Sequence, residues 1–270
     1  MNIISQGWEL LQERGIRKLL QEAKRALPRR ILGRKTVLPY EVHFRVRTRR
    51  NSMVNRLVYN APPSPFKIIE VDPTKIEYLS PEINTRRGMG QVRGGTWDTE
   101  PQLEPIEEQY AVKGLRERFV QNKSWEKTSY YEKLQKEDNT DTYPETRCAF
   151  VENLYKSIRD DGYRPNYESE HVVPEQDTGR RKTRRYQNEL EPLVTIGRKG
   201  EIYWREGFHR LAIARMLELD AIPVQVIARH RQWQQVREYV HGMTQNKNRC
   251  KLSPDLQSHP DLQEFDSENR

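Results

Sequence analysis

The sequence predicts a mixed α/β protein of the α+β kind, a small mixed sheet with packed helices behind a basic N-terminal helical extension. Three observations carry that expectation. Residues 193–227 read as strand, tight turn, strand, helix and strand in close succession. Residues 147–161 place Phe150, Leu154 and Ile158 at four-residue steps, and residues 7–27 alternate apolar and basic side chains at helical spacing.

A chain of 270 residues can bury a core, but 34% hydrophobic against 32% charged residues is a lean balance. It fits a globular centre with polar extensions. The expected layout is a basic extension over 1–62, a folded domain over 63–240, and a polar, frayed tail over 241–270. The domain contains a helical insertion and a basic, mobile loop at 165–189. No apolar run is long enough to span a bilayer, and Glu9, Glu13 and Arg14 interrupt any signal-peptide core. Cys148 and Cys250 stand in no metal or redox spacing, so two free thiols in a reducing cytoplasm are expected over a disulfide.

Taken in order, Trp8, Leu11, Ile16, Leu19, Leu20, Ala23 and Leu27 mark a helix that Pro28 ends. Such a basic amphipathic helix suits an anionic membrane surface, a protein partner or the protein's own core. Val37, Val42, Phe44 and Val46 alternate loosely and predict one or two exposed strands over 36–60. The prolines at 61–65 make a stiff joint and a boundary. A strand follows at 66–71, and 76–79 reads as a half-turn or a short strand. Four glycines at 88–95 then build a loop suited to lining something, beside Thr96, Trp97 and Asp98. The loop has neither dinucleotide-binding nor P-loop spacing. Helices are expected at 106–120, 125–134 and 147–161, the last capped by Gly162. A hairpin at 193–204, a helix at 209–217, a strand at 222–227 and a helix at 233–240 complete the domain.

The net charge of +8 gathers in two clusters. One holds Arg45, Arg47, Arg49 and Arg50, the other Arg180, Arg181, Lys182, Arg184 and Arg185. Both suit a polyanion such as nucleic acid, or simply a solvated loop.

The most chemical segment is the turn Arg205-Glu-Gly-Phe-His-Arg210, where a strand ends and a helix begins. First-turn amides of a helix have no intrahelical acceptor and favour anions. Gly207 permits close backbone approach, Arg210 offers a forked donor to phosphate, and His209 a donor or a base. Glu206 is the nearest carboxylate, placed to orient a metal or activate a hydroxyl.

Gly207-Phe-His-Arg210, then Leu211-Ala-Ile-Ala214 and Leu219-Asp-Ala-Ile-Pro-Val224, resemble the ParB/sulfiredoxin superfamily. Asp72-Pro-Thr-Lys-Ile76 and Leu154-Tyr-Lys-Ser-Ile-Arg-Asp-Asp-Gly162 resemble its earlier boxes, so the likeness covers residues 66–230 with a long insertion. Within that superfamily, sulfiredoxin has a cysteine where Phe208 stands, which removes its chemistry here. Partition ParB proteins bind CTP at a Gly-Glu-Arg-Arg box and continue into a DNA-reading module, for which too little chain follows residue 230. The Asp-Gly-His-His-Arg box of the free-serine kinase branch is the best likeness to Glu206-Gly-Phe-His-Arg210.

The resemblance implies nucleotide binding, with ATP or another nucleotide and Mg2+ as cofactors. His209 and Arg210 would hold phosphates, Glu206 would stand near the transferred group, and Lys156 and Ser157 would form the pocket's second side. Three functions fit: a Mg-dependent phosphotransferase or hydrolase, a ParB-like nucleic-acid-binding or nuclease-like protein, and a non-catalytic module that docks through residues 7–27.

Overall fold

The computed structural model describes residues 40–137, 142–166, 190–245 and 252–267. The helix expected over 7–27, the basic cluster at 180–185, nearly all of the basic loop and Cys250 lie outside these residues. The described residues form two compact units. The larger comprises Phe66–Asn84 and Val92–Trp233; the smaller gathers the residues up to Pro65, Thr85–Gln91 and those from Gln234 onward.

The larger unit is built on a mixed sheet, and the protein is an α+β fold. Its strands are β1 (Ile68–Val71), β2 (Tyr78–Leu79), β3 (Gln91–Arg93), β4 (Glu104–Pro105), β5 (Leu193–Ile196), β6 (Ile202–Glu206) and β7 (Ile222–His230). They lie in the order β1-β7-β5-β6-β2-β4, with β3 also pairing with β7. β5 and β6 form the antiparallel hairpin expected from Gly197 and Gly200, with Thr195 opposite Tyr203. β5 runs parallel to β7, with Val194 beside Val226, and β2 runs parallel to β6. Pattern follows position: β7 and β5 are buried at every residue, whereas edge strand β1 alternates exposed and buried side chains. Inside the sheet, the hydroxyls of Ser80 and Thr195 satisfy one another at 2.7 Å.

The helical insertion comprises α2 (Tyr110–Phe119), α3 (Ser129–Glu137) and α4 (Thr142–Asp161). It buries Val112, Leu115, Leu134, Val151, Leu154 and Ile158, and a cluster of aromatic rings joins its elements. Phe119 stacks on Tyr155 at 3.9 Å between centroids and meets Trp125 edge-on. Gly114 lets α2 and α3 touch, since a Cβ there would come within 2.3 Å of the Tyr130 Cβ. Glu152 of α4 ties the group together, accepting from Arg118 and from the Trp125 indole at 3.0 Å. Cys148 is a buried free thiol, its pKa pushed up to about 12 by burial.

Two expectations change in the smaller unit. Within the stretch 36–60 expected to supply strands, the described residues Tyr40–Val58 form one helix, α1. Its buried face carries Phe44, Thr48, Asn55 and Val58, a helical repeat disguised because two of the four are polar. Those two are buried for their hydrogen bonds. Asn55 Nδ2 donates to the Gly90 carbonyl at 2.8 Å, and Thr48 Oγ1 accepts from the Met89 amide at 3.0 Å.

The tail beyond residue 241 is also not frayed where it is described. α6 (Arg231–Gln245) extends past the expected end, and α7 (Pro254–Ser258) and α8 (Glu264–Ser267) follow. Leu252, Leu262 and Phe265 are buried there, and the fully buried Arg237 of α6 pairs with Asp261 at 3.0 Å and with Glu264. Among the described residues no helix is long and apolar enough to cross a membrane.

Candidate functional site

The Glu206–Arg210 turn is where β6 hands over to a helix, as its sequence demands. Gly207 is the residue before α5 (Phe208–Met216), in the left-handed region at φ 92° and ψ 37°. A Cβ at this position would lie 2.9 Å from the Pro192 Cβ, so glycine is required both by conformation and by space. No side chain caps α5, and its first complete intrahelical bond is from Leu211 N to Gly207 O at 3.2 Å. Leu211, Ala212, Ile213 and Ala214 bury the helix's inner face. Arg215, in its last turn, reaches back to the carbonyls of Pro73, Thr74 and Ile76. It thereby fixes the short 3-10 turn Pro73–Lys75, whose amino end Asp72 caps through the Thr74 amide.

The side chains singled out around this turn diverge. Arg210 lies along a protein wall. Its guanidinium sits 5.2 Å from the Tyr163 ring centroid, donates to the Arg164 carbonyl at 3.2 Å, and stands 3.9 Å from Glu191 Oε2. Glu191 is 4% exposed and also accepts from the Asn166 amide at 2.5 Å. Burial pushes the Tyr163 phenol up to about 12, against the opposing pull of the Arg210 cation.

His209 turns into the helical insertion. Its Nε2 is 2.9 Å from the hydroxyl of Tyr130, a residue 1% exposed, and the two rings meet edge-on. Burial, reinforced by the Arg147 charge, holds the imidazole well below its usual range and therefore neutral. The Glu206 carboxylate is 3.4 Å from Arg205, whose Nε donates to the Ile83 carbonyl. Lys156 and Ser157 lie on α4 as expected, with Lys156 exposed. Among the described residues no group of three or more His, Cys, Asp or Glu is placed to hold a metal ion.

Arg210's companions, Tyr163, Asn166 and Glu191, carried no signal in the sequence, because each is remote in the chain and ordinary in type. The Gly94–Asp98 stretch did carry one. Arg198 forks onto the Asp98 carboxylate at 2.7 Å, the Tyr203 hydroxyl donates to the Asp98 carbonyl, and His230 Nε2 reaches the Gly95 carbonyl at 3.2 Å. Burial alone would raise the Asp98 pKa, but the Arg198 hydrogen bonds outweigh it and hold the carboxyl below its usual range. These contacts bind the glycine loop to the sheet.

Fold and turn together define an α+β protein with a glycine-initiated helix following a β-hairpin and a cation beside that helix's first turn. No protein-family model matches the chain, and neither a curated protein nor a solved structure matches it significantly.

Proposed function

We propose that the larger unit is a ParB/sulfiredoxin-like binding module that seats a phosphate-bearing ligand, such as a nucleotide, on the amino end of α5. The observation that carries this reading is Gly207. Its left-handed backbone starts α5 with no side-chain cap, and the first-turn amides of a helix favour an anion. Arg210 adds a cation in the same turn whose orientation is fixed by Tyr163 and the Arg164 carbonyl, so little side-chain entropy is lost when a phosphate is gripped.

Binding is favoured over phosphoryl transfer. Transfer would need a carboxylate and a base at the bound phosphate, and Glu206 and His209 are engaged with Arg205 and Tyr130. The resemblance of Glu206-Gly-Phe-His-Arg210 to nucleotide-binding boxes supports the ligand class; the divergent side chains argue against the chemistry.

Calorimetric titration with pyrophosphate, ATP, CTP and GTP tests the reading. A charge-assisted forked contact is worth about 1.5–3 kcal/mol, so Arg210→Ala should weaken binding roughly 10–150-fold. Glu206→Gln should leave affinity unchanged. Equal affinity for the parent and Arg210→Ala, with folding intact by circular dichroism, would remove this turn as the site.

A further inference from the structure

Helix α1 has a second face that neither the core nor the phosphate reading uses. Opposite the buried row of Phe44, Thr48, Asn55 and Val58 lie Val42, Val46, Met53 and Leu57, exposed at 42%, 44%, 67% and 54%. At a helical step of about 100° per residue these four fall within one narrow stripe, about 22 Å long from Val42 to Leu57. Arg49 and Arg56 border the stripe on one side and Arg50 on the other. No Asp or Glu occurs from position 42 to position 69. The positive field is already crowded. Arg47 is held below its ordinary pKa by burial and then by repulsion from Arg50 and Arg87.

An apolar stripe edged by cations must find a partner that takes both. A duplex nucleic acid would meet the arginines and leave valine, methionine and leucine in water, gaining nothing from their burial. An acyl–headgroup boundary rich in anionic lipid meets both, since the stripe enters the acyl layer while the arginines extend to lipid phosphates. We propose that α1 is a peripheral docking helix for an anionic membrane surface, lying in its plane. This inference is independent of the phosphate site at α5.

The test is co-sedimentation of the full chain with phosphatidylcholine vesicles, with and without phosphatidylserine. Binding should require phosphatidylserine. Changing Arg49, Arg50 and Arg56 together to Gln should weaken it on the order of a hundredfold, at roughly fivefold per arginine. Met53→Ser with Leu57→Ser should weaken it roughly tenfold while leaving circular dichroism and Tm unchanged, because both side chains are already exposed. No sedimentation with the anionic vesicles overturns the proposal. So does binding indifferent to the Met53 and Leu57 changes, which would mark mere charge attraction or docking through residues 7–27. Duplex DNA binding that depends on the same arginines, without vesicle binding, assigns the face to nucleic acid instead. A fall in oligomeric state on changing Met53 and Leu57, without vesicle binding, assigns it to a second copy of the chain.

Discussion

His209 and Arg210 are neighbours in sequence with opposite employments. Arg210 lies over the Tyr163 ring, donates to the Arg164 carbonyl and stands near Glu191. His209 loses its charge because burial beside Tyr130, with Arg147 close by, makes protonation unfavourable. That loss has a pH signature. The folded pKa lies well below the unfolded value near 6.5, so between the two the unfolded chain binds a proton that the folded chain does not. Stability from this residue is therefore complete above about pH 6.5 and declines as the pH falls below it, by at most about 1.4 kcal/mol per pH unit. Chemical denaturation of the parent and of His209→Gln at pH 7.5 and pH 5.5 should show a smaller acid-side loss in the variant. Identical losses would mean that the ring titrates as it does in water.

At the scale of elements, the β6–α5 turn was the most legible part of the chain. Periodicity gave both strands of the hairpin and the helix, and Gly207 stood where only glycine fits. The prediction that follows is steep: Gly207→Ala must adopt a strained φ and press on Pro192, costing about 2 kcal/mol in denaturant unfolding. A loss below about 0.5 kcal/mol would show that the turn relaxes freely.

Other elements hid for identifiable reasons. α1 looked strand-like because buried Thr48 and Asn55 supply hydrogen bonds where an apolar repeat was sought. The ring cluster of the insertion depends on Phe119, Trp125, Tyr130 and Tyr155 meeting across three helices, a convergence that no single helical pattern contains. The neighbours of Arg210 were hidden in the same way. Tyr163 and Glu191, which stand beside Arg210, belong to no box that the turn's sequence points to.

Across the whole molecule, the smaller unit takes residues from three separate stretches of the chain, so its C-terminal stretch is structural and not an appendage. Its polar composition misled because one buried cation demands acidic company. Arg237 is 0% exposed and is matched by Asp261, also 0% exposed, and by Glu264. Ending the chain after Gln245 would strand that guanidinium, at a cost of about 3–5 kcal/mol. Arg237→Met in the truncated chain should recover part of it, since an apolar replacement leaves no uncompensated charge. A truncated protein as stable as the parent would contradict this account of the tail.

The phosphate reading of α5 is tested most directly by watching the amides said to bind the anion. In 1H–15N correlation spectra of the full chain titrated with pyrophosphate, the backbone amides of Phe208, His209 and Arg210 should shift together and saturably. The same titration of Arg210→Ala should need roughly 10–150-fold more ligand. Saturable shifts confined to other residues, such as Arg45–Arg50, or no saturable shift anywhere, would contradict the site.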